Sequence, residues 1–345
     1  MRFRCLGSIR ALATAFAVVS LVSAPAASQP QAASEARFTA PRTPDGKPDL
    51  RGIWDFRTVT PLERPSELAD KAFLTDEEAA AFENERVRSR NSDLNRDTTV
   101  TDRGLVNGTT ETDDLRLAYN DFWWDRGTKV VKTRRTSLVV DPPNGRIPPL
   151  TLEAQRRQAE QAAWRARPAE GPEDRSLAER CIVGFNSGPP MTPGGYNQNV
   201  QIFQTRDYVV LLNEMVHNAR IVPLDERPHG TLRQWTGDSR GRWEDDTLVI
   251  DTTNFLRETS FRGSSPNLHL VERLTRVDAE TLLYEFTVDD PTTWTQAWSA
   301  EVPMRKSDVS LFEYACHEGN YGMAGTLSGA RAIETATDSA VTHEQ

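Results

Sequence analysis

The chain has 345 residues, 26% charged and 37% hydrophobic, with 41 Lys and Arg against 50 Asp and Glu. Its formal charge of −9 becomes −12 once residues 1–28, which carry three arginines and no acid, are set aside. An acidic excess argues against nucleic acid or an anionic membrane surface as partner, because phosphate binding needs a basic field. The negative mean hydropathy excludes a membrane-embedded chain, and the Trp and Phe content excludes a disordered one.

Arg2, Arg4 and Arg10 precede an apolar run, Ala11 to Val22, followed by Ser23-Ala24-Pro25-Ala26-Ala27-Ser28. A basic start, a short apolar stretch and small residues at a cleavage site are the layout of a secretory signal peptide over 1–28. The run falls short of the roughly 20 apolar residues a membrane span needs, so no membrane insertion is expected. The mature protein is expected in the periplasm or outside the cell. Pro41 to Pro48 then reads as an extended lead-in to Leu50-Arg51-Gly52-Ile53-Trp54. Thr75 with Glu78 forms a capping-box pattern ahead of a helix running to about Arg90. Residues 91–118 read as a long polar loop, broken by Phe122-Trp123-Trp124.

Ser137 to Asp141 reads as a short strand, with a turn at Asn144-Gly145 and a return strand from Arg146-Ile147. Leu152 to Ala166 is a second helix, and 184–197 a Gly- and Pro-punctuated loop. From residue 199 the period changes to that of strands, at about 199–205, 207–213, 218–224, 246–254, 268–276, 281–288, 293–304 and 310–316. Gly237-Asp238-Ser239-Arg240-Gly241 reads as a polar hairpin connection, and the tail past Arg331 as disordered. The expected fold is mainly β with peripheral helices, an antiparallel meander closed into a lipocalin-like barrel over 199–330. Residues 29–198 wrap or cap it, and 331–345 form the tail.

Strand alternation puts Leu248, Ile250, Thr252, Leu270, Glu272, Leu274, Tyr284, Phe286, Trp294, Gln296 and Trp298 on one interior face, with Asn254 at its end. An apolar and aromatic lining with a few polar groups is the composition of a ligand pocket; an ordinary barrel core has the same pattern. Asn254, Arg273, Tyr284, Trp294 and Trp298 are the candidate substrate contacts.

Four of the five histidines, His217, His229, His269 and His317, fall in the strand-rich half, and acids lie near three of them: Glu214, Glu272 and Glu318. An imidazole oriented by a carboxylate is the side-chain pair best suited to proton transfer near neutral pH. The candidate catalytic residues are His217, His269, His317, Glu214, Glu272 and Arg220. Glu272 and His269 stand on opposite faces of one strand, which argues against a direct dyad, and His229 in Arg227-Pro228-His229-Gly230 reads as a turn residue. There is no H-E-x-x-H, nucleophile elbow, P-loop or dinucleotide fingerprint. No organic cofactor is expected; a metal assembled from separate strands stays open as an alternative. With Cys5 in the signal peptide, Cys181 and Cys316 remain, and an oxidising compartment favours their pairing.

Several strings together resemble a largely uncharacterised family of exported bacterial proteins. They are Thr43 to Trp54, Arg233 to Gly241, Trp243 to Phe255, Phe261-Arg262-Gly263-Ser264-Ser265 and Tyr314 to Tyr321. The resemblance covers most of the mature chain and implies export and one shared architecture; it assigns no catalytic residue. The leading functional expectation is an exported, cofactor-independent enzyme of lyase, isomerase or hydratase type acting on a hydrophobic, aromatic small molecule. The alternatives are a non-catalytic periplasmic carrier of an apolar ligand and a metal-dependent hydrolase.

Overall fold

A computed structural model describes residues 38–91, 93, 94 and 120–343, with side chains through 336. The expected signal peptide at 1–28 and most of the polar segment 91–118 lie outside the described residues. Ten strands form one antiparallel sheet: β1 (Gly52–Asp55), β2 (Val139–Asp141), β3 (Asn199–Gln204), β4 (Tyr208–Asn213), β5 (Ala219–Pro223), β6 (Asp238–Glu244), β7 (Thr247–Thr253), β8 (His269–Arg276), β9 (Thr281–Asp289) and β10 (Trp298–Ser307). Three α-helices accompany it: α1 (Asp76–Arg90), α2 (Leu152–Arg165) and α3 (Tyr321–His343).

The sheet order is β5-β4-β3-β1-β10-β9-β8-β7-β6, with β2 pairing the start of β10 beside the stretch that β1 pairs at its end. The meander is therefore split by β1, which enters from the N-terminal half between β3 and β10. The expected barrel is not closed: the order begins at β5 and ends at β6, and no ladder joins them among the described residues. The two edges meet through side chains instead. A Cβ added at Gly241 of β6 stands 2.6 Å from Leu224 Cδ2 and 2.8 Å from Val222 Cγ1, so glycine is what lets these edges approach.

Alternation fixes the core. Leu248, Ile250, Leu270, Leu274, Leu282, Tyr284, Phe286, Val288, Trp298, Ala300 and Val302 all point inward and are buried, joined by Trp54 and Phe56 from the N-terminal half. Trp54 Nε1 donates to Leu50 O at 2.9 Å, so the extended lead-in is pinned where β1 begins. Thr75 caps α1 in a reciprocal capping box with Glu78, as the sequence predicts. Thr151 caps α2.

Five expectations differ from the structure. Asp238 to Glu244 is a strand and not a connection; it is the last strand of the sheet order, where charged residues are tolerated because one side of it joins no ladder. The return strand after Asn144-Gly145 does not form: Gly145 closes a turn on Pro142 and its carbonyl accepts from Arg64 N at 2.7 Å. Trp294 to Ala297 precede β10, which leaves Gln296 exposed, and 310–316 is irregular. The tail is helical rather than disordered: α3 runs from Tyr321 to His343, and Arg331 anchors it on Ala169 O at 2.7 Å and Glu170 O at 2.9 Å.

Asp290 explains the late start of β10. Its carboxylate accepts from Ser265 N at 2.6 Å, Thr293 Oγ1 at 2.6 Å and Thr292 Oγ1 at 2.7 Å, tying the Phe261–Ser265 loop to the β9–β10 connection. Burial pushes its carboxyl up, but the hydrogen bonds from Thr293, Ser265 and Thr292 outweigh it and hold the group below the ordinary 3.8. Its stabilisation is thus fully present above the ordinary value and is lost as pH falls through the folded one. Asp290→Ala, which takes the carboxylate from four donors, Thr292 N among them, is expected to destabilise by about 3 kcal/mol at neutral pH. The loss should shrink in acid; urea unfolding at two pH values checks both.

Candidate functional site

Three of the expected site residues meet inside the sheet. Arg220 on β5 makes a two-pronged bond to Glu272 on β8, Nη2 to Oε1 at 2.8 Å and Nη1 to Oε2. Tyr284 on β9 donates to Glu272 Oε1 at 2.6 Å and accepts from Met191 N at 3.1 Å. All three side chains are buried. Burial, reinforced by the Glu272 charge, pushes the Tyr284 phenol well above its usual value. Every polar atom of Glu272 is engaged from within the core, so this cluster positions β5, β8, β9 and the 184–197 segment.

The remaining expected contacts are not gathered in one place among the described residues. Trp294 and Trp298 pack edge to face at 5.8 Å, and Trp298 stacks on Phe261. Arg273 faces outward onto Glu244 at 2.8 Å. Asn254 sits at positive φ and holds Gly230 O at 2.8 Å. Glu214 is a buried clamp, accepting from Asn199 Nδ2 at 2.8 Å and Phe312 N at 3.1 Å. His217 and His317 lie in exposed turns.

The acid–base constellation lies on the outer face (three strands and one loop supply it). Asp251 of β7 points outward because Ile250 and Thr252 point in. Its Oδ2 meets His269 Nε2 at 2.9 Å and its Oδ1 meets His229 Nε2 at 2.9 Å. His229 Nδ1 faces Asp238 Oδ2 at 3.3 Å; Asp238 also accepts from Gly230 N at 2.7 Å and pairs with Arg240. One carboxylate thus orients two imidazoles, and a second carboxylate backs one of them. The expected partner of His269, Glu272, is excluded by alternation: three residues along a strand is the opposite face.

The two rings differ chemically. His229 faces carboxylates with both nitrogens, so neither is left to accept a proton from a ligand. His269 has only Nε2 engaged among the described residues and is 42% exposed. In the neutral ring Nε2 donates to Asp251, and Nδ1 makes no hydrogen bond among the described residues, with Asp289 opposite His269 in the β8–β9 ladder. Burial raises the Asp251 carboxyl, but the bonds from His269 and His229 outweigh it, so Asp251 sits below its ordinary range and stays anionic at neutral pH. The loop from Gly230 to Thr236, which follows His229 in the chain, carries Leu232, which is exposed, and Trp235, half-buried; it is held by Gln234 N to Asn254 O at 2.9 Å.

Cys181 and Cys316 lie at disulfide distance, Cα to Cα 5.7 Å, as expected. No helix of the described residues is long and apolar enough to cross a membrane. Among the described residues no group of three or more His, Cys, Asp or Glu is arranged to hold a metal ion. Comparison with family models, curated proteins and solved structures finds no match for this chain.

Proposed function

We propose that the chain is an exported enzyme that moves a proton on a hydrophobic, aromatic small molecule, by lyase, isomerase or hydratase chemistry without an organic cofactor. The observation that carries this reading is Asp251 shared between His229 and His269. His269 is the proton acceptor through Nδ1, Asp251 orients it, and His229 with Asp238 holds Asp251 in place. Leu232 and Trp235 supply apolar surface for an aromatic body. The signal-peptide layout, the Cys181–Cys316 pair and the resemblance of the quoted strings to exported bacterial proteins support an exported setting. The opposed β5 and β6 edges support a lipocalin-like, barrel-related scaffold, with the chemistry on the outside.

The test follows the proton. Aromatic ketones, β-hydroxy acids and enol ethers are incubated with the protein in D2O and read by NMR for deuterium incorporation and product. His269→Gln is expected to lower the rate by about 10²–10⁴-fold, the range of a general acid–base contribution. His217→Gln and His317→Gln are expected to leave it unchanged. Equal rates for His269→Gln and wild type sink the assignment, and saturable binding with no turnover favours the carrier.

A further inference from the structure

A cleft of about 510 Å³ opens at the other end of the sheet, between the last turns of α1, the 124–132 segment and the ends of β1 and β10. Thr281, at the start of β9, lines it, whereas His269 pairs with Asp289 at the end of β9. The eight-residue separation along that strand is about 26 Å, so the cleft is distinct from the histidine array. Its volume lies in the range of small-molecule sites, roughly 300–1,000 Å³.

The charge of the cleft is opposite to that of the protein. Its lining holds seven Lys and Arg against three Asp. Most of the cations are matched: Arg57 by Asp55 and Asp125, Arg305 by Asp55, Lys129 by Glu83 and Lys132 by Asp278. Arg86 and Arg90 have no carboxylate partner among the described residues, and Asp121 is the one acid of the lining without a cation assigned to it. Arg86 Nε is buried with no hydrogen-bond partner among the described residues, its guanidinium 5.2 Å from the Phe82 ring. Arg126 lies over the Trp124 ring at 3.7 Å and donates to Arg90 O at 3.1 Å. Burial, then the Arg86 and Arg126 charges, pull the Arg90 guanidinium below its usual value, which places three cations within mutual reach. The α1 C-terminus favours cations and accounts for part of this arrangement. It does not account for a buried Nε left without an acceptor, which is costly unless something accepts from it.

The lining also holds Val87, Val130, Val131 and Met304, which give the cleft apolar surface as well as guanidinium groups. From this combination we infer that the cleft is a second binding site, for a small organic anion whose carboxylate is held by Arg86 and Arg90 and whose apolar body lies on the valine and methionine side chains. A guanidinium fork matches a planar carboxylate in two parallel bonds, and a positive cleft on an acidic protein concentrates anions. The site is independent of the His269 assignment.

Isothermal titration of the mature protein with 2-naphthoate tests it, with 2-naphthalenemethanol and inorganic phosphate as comparison probes. One saturable naphthoate site is expected, weakened by added salt and weakened about tenfold to a hundredfold by Arg90→Gln or Arg86→Gln, the range for loss of a charged hydrogen bond. The double variant Arg86→Lys/Arg90→Lys, which keeps the charge and loses the fork, is expected to fall between and covers the case in which a glutamine variant fails to fold. His269→Gln is expected to bind naphthoate as the wild type does. Absence of saturable binding, equal binding of the alcohol, or indifference to both arginines overturns the proposal. Phosphate binding as tightly as naphthoate overturns the apolar half of it.

Discussion

Glu272→Leu is expected to lower stability by about 3–5 kcal/mol, and Glu272→Leu combined with Arg220→Met to recover most of that loss. The reason is the isolation of the pair. Arg220 and Glu272 come from β5 and β8, well apart in the sheet order, and both are buried at the centre of an apolar core. Removing the carboxylate alone leaves a guanidinium with no acceptor in a medium that cannot solvate it. Removing both replaces two desolvated charges by packing. Tyr284 makes the effect asymmetric, since its hydroxyl donates to Glu272 and accepts from Met191 N. Arg220→Met alone leaves Glu272 with one donor, whereas Glu272→Leu strands both an arginine and a phenol, so the glutamate variant should be the worse of the two. Urea unfolding of the three variants and wild type measures the cycle. A single-variant loss under about 1 kcal/mol, the scale of an exposed pair, contradicts the buried anchor. A double variant as unstable as the worse single one shows that the pair contributes more than mutual neutralisation.

That cluster also shows what was legible in the sequence. Alternation along 246–254, 268–276 and 281–288 places Glu272 and Tyr284 on the inner face, and the structure has them there. The same alternation forbids the His269–Glu272 dyad. What alternation cannot supply is which strands become neighbours across the interior, because the Arg220–Glu272 contact joins residues 52 apart. The insertion of β1 between β3 and β10 is of the same kind: nothing in Gly52-Ile53-Trp54-Asp55 names partners some 150 and 250 residues away. Polar composition misled twice. Asp238-Ser239-Arg240-Gly241-Arg242 has the residues of a turn, yet an edge strand favours that composition. Pro228-His229-Gly230 has the residues of a turn and is one, but the β6–β7 hairpin brings Asp238 and Asp251 to its imidazole, which local context does not reveal. The small, polar composition past Arg331 similarly obscured the end of α3, where Arg331 reaches Ala169 O and Glu170 O.

The second large effect is expected from the Cys181–Cys316 pair. The residues are 135 apart in sequence, and the chain-entropy model gives a crosslink of that span about 4–5 kcal/mol. Its place in the fold decides where the loss is felt. Cys181 packs with Met215 and Val216, against which Tyr196, Tyr314 and Cys316 lie, and Tyr196 stacks on Tyr314 at 6.2 Å. Glu214 accepts from Phe312 N in the same neighbourhood. The segment after β10 belongs to no ladder, so the crosslink and this small cluster are what return it to the body of the protein and lead it into α3. Cys181→Ala/Cys316→Ala is therefore expected to do two separable things. The unfolding midpoint should fall by the amount that 4–5 kcal/mol dictates, because the unfolded chain regains the freedom of a long loop. Amide exchange in 312–336 should quicken far more than in β7, β8 and β9, because local opening no longer requires breaking a covalent bond. Faster exchange in the tail with an unchanged midpoint shows that the crosslink acts on the folded segment alone. A lowered midpoint with uniform exchange leaves the entropy of the unfolded chain as the whole effect, and removes the case for α3 depending on the Cys181 neighbourhood.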